Sequence, residues 1–267
     1  MKREGLSKLR KLTLIPQEAY TLRLPCFSGK ILLRSSNPRI ISIIKGNRLL
    51  ARKPGRAVVF AGTGQNALRF SVTVKENRWS RILARYQKDP LVNQLVFVKY
   101  TGRTNARVCL YQKALEGWEL LLECPGYVGK EGIGKIREGD QKTPVGVFRL
   151  TRAFGIKDNP GAGMEYVKLN PYLYWCGDEQ YYNQLIDIRE KPHDCRGEHL
   201  IEFSPHYNYG MFTDFNRECV YDMGSAIFFH CFGPRPYTGG CVAVSEKDMI
   251  RILQKTEPGA RICIYRM

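Results

Sequence analysis

The chain has 267 residues, of which 43% are hydrophobic and 11% aromatic, and this composition excludes a disordered or fibrous protein. Its formal net charge of +17 is concentrated at one end: residues 1–82 carry 18 basic and 3 acidic side chains, whereas residues 83–267 carry 24 and 22. The length and this asymmetry predict two modules, of which the first is strongly basic.

The basic module is expected to attract polyanions, and nucleic acid, anionic lipid and anionic cell-wall polymers satisfy its charge equally well. Its charges are scattered singly or in pairs, without a basic helix, a zinc-finger spacing or an aromatic RNA-binding motif. We therefore expect no specific nucleic-acid partner. A solvated basic surface is the simplest interpretation, and binding to an anionic wall polymer is the alternative.

Nine cysteines are scattered along the chain without close pairs. An odd, dispersed set of this kind does not indicate a disulfide framework and is typical of a reducing compartment. The first residues are basic but lack the apolar run of a secretory signal, and no stretch approaches the length of a membrane span. We therefore expect no signal peptide and no transmembrane segment.

Residues 10–76 contain short extended segments separated by Pro, Gly, Asn and Ser. The predicted strands are Lys11–Ile15, Tyr20–Leu24, Lys30–Leu33, Ile40–Ile44, Arg56–Ala61 and Arg69–Val74. Short strands at this regular spacing predict a small all-β sandwich.

Two segments of this region carry a family pattern. Ser35-Ser36-Asn37-Pro38 precedes alternating apolar residues, and Ala51, Gly55 and Ala57 follow with the spacing Ala-x-x-x-Gly-x-Ala. Residues 10–76 therefore resemble the bacterial Ig-like domain. The resemblance implies a β-sandwich that binds or spaces and has no catalytic activity of its own.

A short helical linker is predicted at residues 77–90, where apolar residues follow helical spacing until Asp89-Pro90. We place the boundary between the modules here, so residues 91–267 form the second module. The strands predicted in it are Gln94–Tyr100, Ala106–Gln112, Trp118–Cys124, Gly146–Leu150 and Arg261–Tyr265. The second module is thus predicted to be mainly β.

One helix is predicted late in the second module. Ser245 is placed as its N-cap with Asp248 three residues on, and Met249, Ile252 and Leu253 form its apolar face.

A histidine and a cysteine stand beside two apolar segments near this helix. Residues 224–230 read as a strand that ends at His230, and a loop with two prolines leads to Thr238-Gly239-Gly240-Cys241. A thiol is mostly protonated at neutral pH, so a nucleophilic cysteine needs an imidazole close by. We predict Cys241 as a nucleophile and His230 as its base. A buried, inert cysteine and a hydrogen-bonded core histidine are the alternatives.

The glycines before the cysteine serve the same chemistry. Gly239 and Gly240 allow the substrate to approach the backbone closely, and the amide of Gly240 is predicted to stabilise an oxyanion, as acyl transfer requires.

Two patches then resemble the L,D-transpeptidase (YkuD-like) catalytic domain. His230, Thr238, Gly240 and Cys241 fall on its signature of a histidine followed by Ser/Thr-x-Gly-Cys, and residues 139–148 resemble its Gly-Asp-x-x-Thr-Pro-x-Gly-x-Phe element. The resemblance implies a β-rich fold in which Cys241 attacks the third residue of a peptidoglycan stem tetrapeptide. It further implies a thioester that a neighbouring amine converts to a 3→3 cross-link, and acylation of the cysteine by carbapenems.

The sequence departs from the usual signature at two positions. Cys231 follows the histidine where Gly is common, and Ala243 stands where many members have Arg. We expect these departures to affect the chemistry of Cys241 less than the way in which the donor stem is held. Thr143 and Pro144 are expected to shape a turn.

A polar and aromatic stretch offers candidates for substrate contact. His199, Tyr207 and Tyr209 are predicted to line the cleft, as is His206. Surface and packing roles are the alternative for these side chains. Asp214 and Asn216 could orient His230, but the resemblance implies a backbone carbonyl for that task.

A zinc site is the chemical alternative to the nucleophile. It would use four side chains: Cys219, His230, Cys231 and Cys241. The sequence has no Cys-x-x-Cys pair, and adjacent residues of a strand point to opposite faces. We therefore predict neither a metal nor a cofactor.

Three functions are consistent with the sequence, and the first two differ in the acceptor. An amine acceptor gives a transpeptidase and water gives an L,D-carboxypeptidase. A non-catalytic scaffold that binds wall or polyanion is the third interpretation. The peptidoglycan stem as partner implies the extracytoplasmic envelope, which conflicts with the expected lack of a signal peptide.

Overall fold

The computed structural model of the chain describes residues 10–22, 24, 31–45, 47–62 and 67–267. Parts of two predicted strands, at Arg23 and Lys30, and Cys26 lie outside these residues. The chain divides into two compact units. The first contains residues 1–91 and 112–120, and the second contains residues 92–111 and 121–267.

Two β-sheets form the first unit. Its strands are β1 (Arg10–Leu14), β2 (Glu18–Thr21), β3 (Leu33–Ser35), β4 (Ile41–Ile44), β5 (Arg48–Ala51), β6 (Gly55–Ala61) and β7 (Leu68–Val74). One sheet has the order β1-β7-β6-β3, and β2, β5 and β4 belong to the other. Buried residues of both sheets, such as Val72 and Leu49, share one apolar cluster.

This two-sheet packing is a β-sandwich, as the strand spacing predicts. The assignment of residues 10–76 to the Ig-like family, and the boundary drawn at residues 77–90, stay predictions. Strand β5 is not predicted from the sequence, because Leu49, Leu50 and Ala51 are all buried and show no alternation of polar and apolar residues.

A helix follows β7, as the apolar spacing predicts. Helix α1 (Arg78–Gln87) begins after Asn77, whose side chain accepts from Ser80 N at 3.0 Å. The Ser80 hydroxyl in turn accepts from Asn77 N at 3.1 Å, so the two residues form a capping box.

The remaining strands include those that carry the candidate site. They are β8 (Gln94–Gly102), β9 (Asn105–Lys113), β10 (Trp118–Tyr127), β11 (Gly146–Gly155), β12 (Tyr166–Lys168), β13 (Leu173–Cys176), β14 (Gln184–Asp187), β15 (Glu198–His199), β16 (Gly210–Thr213), β17 (Phe228–Cys231), β18 (Val242–Val244) and β19 (Arg261–Arg266). This content confirms the prediction of a mainly β protein.

Most strands of the second unit belong to one large sheet that closes on itself. Its strand order is β18-β17-β16-β11-β19-β8-β9-β10, and the end of β10 pairs with β18 through Gly126 and Val244. Side chains inside it form a large buried cluster that includes Val98, Met211 and Ile262. Strands β14, β13 and β15 form a separate small sheet.

The second helix lies where the sequence predicts it. Helix α2 (Glu246–Leu253) is capped by Ser245, whose side chain accepts from Asp248 N at 3.1 Å. Met249, Ile252 and Leu253 are buried, as predicted. Among the described residues, no helix is both long enough and apolar enough to cross a membrane.

Candidate active site

Strands β17 and β18 bring the predicted histidine and cysteine together. They pair in parallel, with His230 opposite Ala243, so Cys241 directly precedes β18 while His230 lies near the end of β17. Both side chains are buried in the fold and line the same cavity of about 840 Å³. The pairing therefore places a thiol and an imidazole at one cavity wall.

The imidazole of His230 is held in one tautomer. Its Nδ1 lies 2.7 Å from the carbonyl oxygen of Cys231. Because a carbonyl can only accept, Nδ1 carries the proton and Nε2 is the basic nitrogen. Burial lowers the pKa of His230 from 6.5 to about 4, so the ring is neutral at pH 7 and able to accept a proton.

The thiol of Cys241 is also neutral in this state. Its Sγ donates to Ala226 O at 3.1 Å and accepts from Phe228 N at 3.2 Å. Burial raises the pKa of the Cys241 thiol to about 12, and the charge of Glu198 adds to this effect. The resting pair is therefore a thiol and a neutral imidazole, and proton transfer to His230 must accompany attack on a substrate.

The carbonyl group of Cys241 accepts two hydroxyl hydrogen bonds. Thr238 Oγ1 donates to it at 2.7 Å and Thr143 Oγ1 at 3.1 Å. Each hydroxyl also accepts a backbone N–H, from Gly240 at 3.1 Å and from Gly129 at 2.8 Å respectively. The two threonines thus fix the peptide group that follows the Cys241 side chain, and Thr143 does more than shape a turn.

Gly240 adopts a conformation that favours glycine. Its φ is +155°, and a Cβ there would lie 3.0 Å from Ile227 Cδ1 and 3.1 Å from Lys142 O. Its N–H donates to Thr238 Oγ1, so the oxyanion role predicted for this amide would require that bond to be exchanged for one to the substrate. Gly239 lines the cavity, with open space where a Cβ would lie.

The other predicted substrate contacts divide into two groups. Tyr207 and His206 line the cavity, and the His206 ring centroid lies 5.8 Å from that of His230. Tyr209 and His199 are not among the residues that line it. His199 instead stacks on Tyr174, with ring centroids 4.3 Å apart.

Neither polar candidate for orienting His230 does so. Asp214 accepts from Arg149 N at 2.6 Å, and Asn216 donates to Gly224 O at 2.9 Å. The backbone carbonyl of Cys231 takes that role, as the family resemblance implies.

The thiols of the alternative zinc site, which would include Cys241, contact backbone groups in different places. Cys231 Sγ donates to Tyr209 O at 3.3 Å, and Cys219 Sγ donates to Arg217 O at 3.6 Å. Each thiol thus contacts a different backbone group. Ala243, which stands at the position where Arg is usual, is buried.

Several charged side chains of the cavity are missed by sequence reasoning. Five of them are Lys135, Glu138, Arg196, Glu198 and Arg235. They come from three segments of the chain, and a single sequence gives no sign that these segments converge. The wall therefore offers both cations and carboxylates to a bound molecule.

One carboxylate of this wall holds the segment before β17, where the strand predicted over residues 224–230 begins only at Phe228. Glu138 accepts hydrogen bonds from the hydroxyl groups of Tyr182 and Ser225, the latter at 2.7 Å. Tyr182 Oη accepts from Gly224 N at 3.0 Å. These contacts hold residues 224–225 beside the Cys241 thiol partner Ala226.

A buried ion pair lies below the glycine turn. Lys135 Nζ contacts Asp140 Oδ1 at 2.9 Å, and both side chains are almost fully buried. The Asp140 carboxylate also accepts from the amides of Ile136 and Lys142 at 2.8 and 3.0 Å. These bonds offset the cost of its burial and lower its pKa to about 2. The pair thereby fixes the loop that carries Thr143.

The arrangement has the parts that acyl transfer needs. A thiol, a neutral imidazole of fixed tautomer and several charged side chains line one cavity.

Comparison with known proteins places this site in a family. Residues 114–264 match the YkuD family, described as the L,D-transpeptidase catalytic domain. No curated protein matches the chain.

Solved structures of low sequence identity also match. Bd1075 of Bdellovibrio bacteriovorus is 15% identical, with a TM-score of 0.37, and the match covers 65% of this chain and 48% of that one. The helical cell shape determining protein Pgp2 from Campylobacter jejuni is 17% identical, with a TM-score of 0.37 and coverage of 70% and 55%. An L,D-transpeptidase from Mycobacterium smegmatis is 10% identical, with a TM-score of 0.32 and coverage of 87% and 82%.

The chain thus spans about half the length of Bd1075 and of Pgp2. The family match covers more than half of the chain, and it includes Thr143, His230 and Cys241. The chain belongs to the YkuD family of L,D-transpeptidase catalytic domains.

Proposed function

We propose that the chain is a peptidoglycan L,D-transpeptidase that uses Cys241 as its nucleophile and His230 as its base. The observation that carries this proposal is the meeting of both side chains at one cavity, with His230 Nε2 as the basic nitrogen. The two hydroxyl bonds to the Cys241 carbonyl support it, because they hold the nucleophile in place.

The proposed reaction has two steps. As Sγ of Cys241 attacks the carbonyl of the third stem residue, the thiol proton passes to His230 Nε2. The C–N bond to the terminal D-Ala breaks, that proton goes to the leaving amine, and a thioester remains. An amine of a neighbouring stem then attacks the thioester, a 3→3 cross-link forms, and the thiol is restored.

The charges of the cavity suit such a donor. A stem tetrapeptide carries a terminal carboxylate and, on its third residue, a diamino acid side chain. Arg196 and Arg235 offer cations, and Glu138 and Glu198 offer carboxylates. A pocket with both signs of charge favours a substrate with both.

A non-catalytic scaffold is the second candidate. The raised pKa of the Cys241 thiol favours it, because an inert buried cysteine has the same property. Wall binding would then be the remaining activity of the chain.

Product analysis separates these functions. Disaccharide tetrapeptides are incubated with the wild-type chain, Cys241→Ala and His230→Gln, and products are identified by mass spectrometry. Transpeptidation predicts 3→3 dimers and free D-Ala from the wild type alone. Free D-Ala with only tripeptide would identify a carboxypeptidase, and no turnover by the wild type would favour the scaffold.

We also propose a role for the first unit in binding anionic wall polymers. Its exposed basic residues support this, among them Lys11, Arg34, Arg39, Lys53, Arg56 and Arg69. Because stems are joined outside the cytoplasmic membrane, the proposed function places the chain in the cell envelope.

A further inference from the structure

A second cluster of reactive side chains lies at the small sheet of the second unit. Cys176 Sγ, an Asp178 carboxylate oxygen and a His193 ring nitrogen all lie within 4.8 Å of one another. Asp178 Oδ2 is 3.4 Å from Cys176 Sγ and 3.0 Å from His193 Nε2. Cys195 lies near Cys176, and its side chain helps to raise the pKa of the Cys176 thiol.

The four residues have the chemistry of a zinc site. Thiolate, imidazole and carboxylate are the ligands that Zn²⁺ takes in proteins, usually four in a tetrahedron. With metal–ligand distances of roughly 2.0–2.3 Å, ligand atoms of a tetrahedron lie about 3.3–3.8 Å apart. The 3.4 Å from Asp178 Oδ2 to Cys176 Sγ and the 3.0 Å from Asp178 Oδ2 to His193 Nε2 are close to this spacing, and Cys195 would turn toward these three atoms as the fourth ligand. The spacing Cys-x-Asp followed by His-x-Cys places two ligands on each of two segments.

The backbone brings these two segments unusually close. A Cβ on Gly177 would lie 2.8 Å from Arg196 O, and a Cβ on Gly197 would collide with Trp175 O. Each glycine is adjacent or nearly adjacent to a ligand residue. Glycine at both positions therefore permits the approach that sets Cys176 and Asp178 against His193 and Cys195.

The cluster is partly buried, and solvent reaches two of its side chains. Cys176 is fully buried, and the side chains of Asp178 and His193 are 20% and 19% exposed. Asp178 Oδ2 also accepts from Arg196 N at 2.8 Å, which fixes the carboxylate. The ring of Tyr181 lies edge-on to that of His193, at a centroid distance of 5.2 Å. Contacts of this kind to the ligand side chains orient them for a metal ion.

We propose that Cys176, Asp178, His193 and Cys195 form a structural zinc site. On binding, both thiols lose their protons to solvent, and the neutral imidazole binds through Nε2. With Asp178 as a carboxylate, three negative charges meet the two positive charges of the ion. The proposal does not depend on the activity assigned to Cys241.

A metal at this place would act on the wall of the catalytic cavity. Residues 188–197 have no regular secondary structure apart from turns, and His193 and Cys195 are their proposed anchors. Arg196, Gly197 and Glu198 follow directly and line the cavity. The ion would thereby hold those three residues in position.

The test is metal content of the full chain, purified under reducing conditions without a metal-binding tag. Mass spectrometry of the metal is expected to find about one zinc per chain. Cobalt added to the metal-free protein is expected to give a thiolate-to-cobalt charge-transfer absorption. Cys176→Ser and His193→Gln should lose both signals.

Two matched controls lie outside the cluster. Cys219→Ser removes a thiol that contacts Arg217 O, and His199→Gln removes a histidine that stacks on Tyr174. Both should keep one metal per chain. Because Cys176→Ser could fail to fold, addition of Zn²⁺ to the metal-free wild type must also raise its Tm.

Three outcomes would overturn the proposal. One is a wild type that binds neither zinc nor cobalt under reducing conditions. Another is full zinc content in Cys176→Ser and His193→Gln. The third is a Cys176–Cys195 disulfide, found by peptide mapping in protein isolated with thiols blocked.

Discussion

The hydroxyl of Thr143 donates a 3.1 Å hydrogen bond to the carbonyl of Cys241, although 98 residues separate them in the chain. The contact joins the Thr-Pro element to the proposed nucleophile, so the two patches meet at one site. The same hydroxyl accepts from Gly129 N, so its loss would leave two buried backbone groups with one partner fewer.

Substitution Thr143→Val keeps the shape of the side chain and removes the hydroxyl. We expect the free energy of unfolding to fall by about 1–3 kcal/mol, because the buried Gly129 N–H loses its acceptor. We expect the rate of Cys241 acylation to fall by roughly tenfold, since a shift of one hydrogen-bonded peptide group misplaces the nucleophile. Denaturant unfolding and time-resolved intact mass measure the two effects.

Thr151→Val is the control, because the hydroxyl of Thr151 on strand β11 also donates to a backbone carbonyl, Phe212 O at 3.3 Å, and Thr151 does not line the cavity. It should lower stability without slowing acylation. Equal acylation rates in Thr143→Val and the wild type would show that the contact does not position Cys241.

The pH dependence of thiol alkylation tests the neutral resting pair. With the pKa of Cys241 raised to about 12, the thiolate fraction grows about tenfold per pH unit below that value. Alkylation of Cys241 by iodoacetamide, followed by peptide mapping, should therefore rise steadily from pH 7 to about 10. His230→Gln should leave this profile unchanged while abolishing acyl transfer. A plateau near neutral pH would reveal a thiolate–imidazolium pair instead.

The Glu198 carboxyl predicts a pH-dependent stability. Burial raises its pKa from 4.5 to about 7, so its contribution to stability is complete below pH 4.5 and is lost as pH rises through 7. Glu198→Gln should remove this loss, which amounts to at most about 3 kcal/mol. Urea unfolding at several pH values measures it, and parallel curves for both proteins would refute it.

The same substitution has an effect on the nucleophile. The charge of Glu198 raises the pKa of Cys241, so its removal should lower that pKa. Alkylation of Cys241 at pH 9 should then be faster in Glu198→Gln than in the wild type. A slower rate would show that the glutamine variant disturbs the cavity.

Wall binding by the first unit is expected to depend on salt. Surface charges are screened over about 10 Å at 0.1 M salt, so sedimentation of the chain with isolated walls should weaken as salt rises. The double variant Arg34→Glu and Arg56→Glu should bind less, because both side chains are exposed in the first unit. The charge-matched variant Arg103→Glu and Lys247→Glu, exposed in the second unit, is the control. Equal loss in both would remove the assignment to the first unit.

The sequence predicts the parts of the fold whose burial pattern is periodic. The sequence predicts strands β8 to β10 close to their observed limits, and it predicts helix α2 together with its N-cap. Strands β12 to β16 are not predicted, because each has only two to four residues and lies among polar and aromatic turns. So short a segment cannot show a two-residue period.

The candidate site also has one part that the sequence predicts and another that it does not. His230 and Cys241 are found because their signature is local in sequence. The bond from Thr143, the ion pair of Lys135 with Asp140 and the cluster at Cys176 each join segments that are distant or unpatterned. Only the folded backbone shows that these residues meet.

Acylation of Cys241 is the most direct test of the central claim. The wild-type chain and Cys241→Ala are each incubated with a carbapenem, and intact mass is measured over time. The proposed mechanism predicts a single covalent adduct on the wild type and none on the variant. Loss of the adduct in His230→Gln would identify His230 as the base. An adduct that persists in Cys241→Ala, or none on a folded wild type, would contradict the assignment of Cys241 as an acyl-transfer nucleophile.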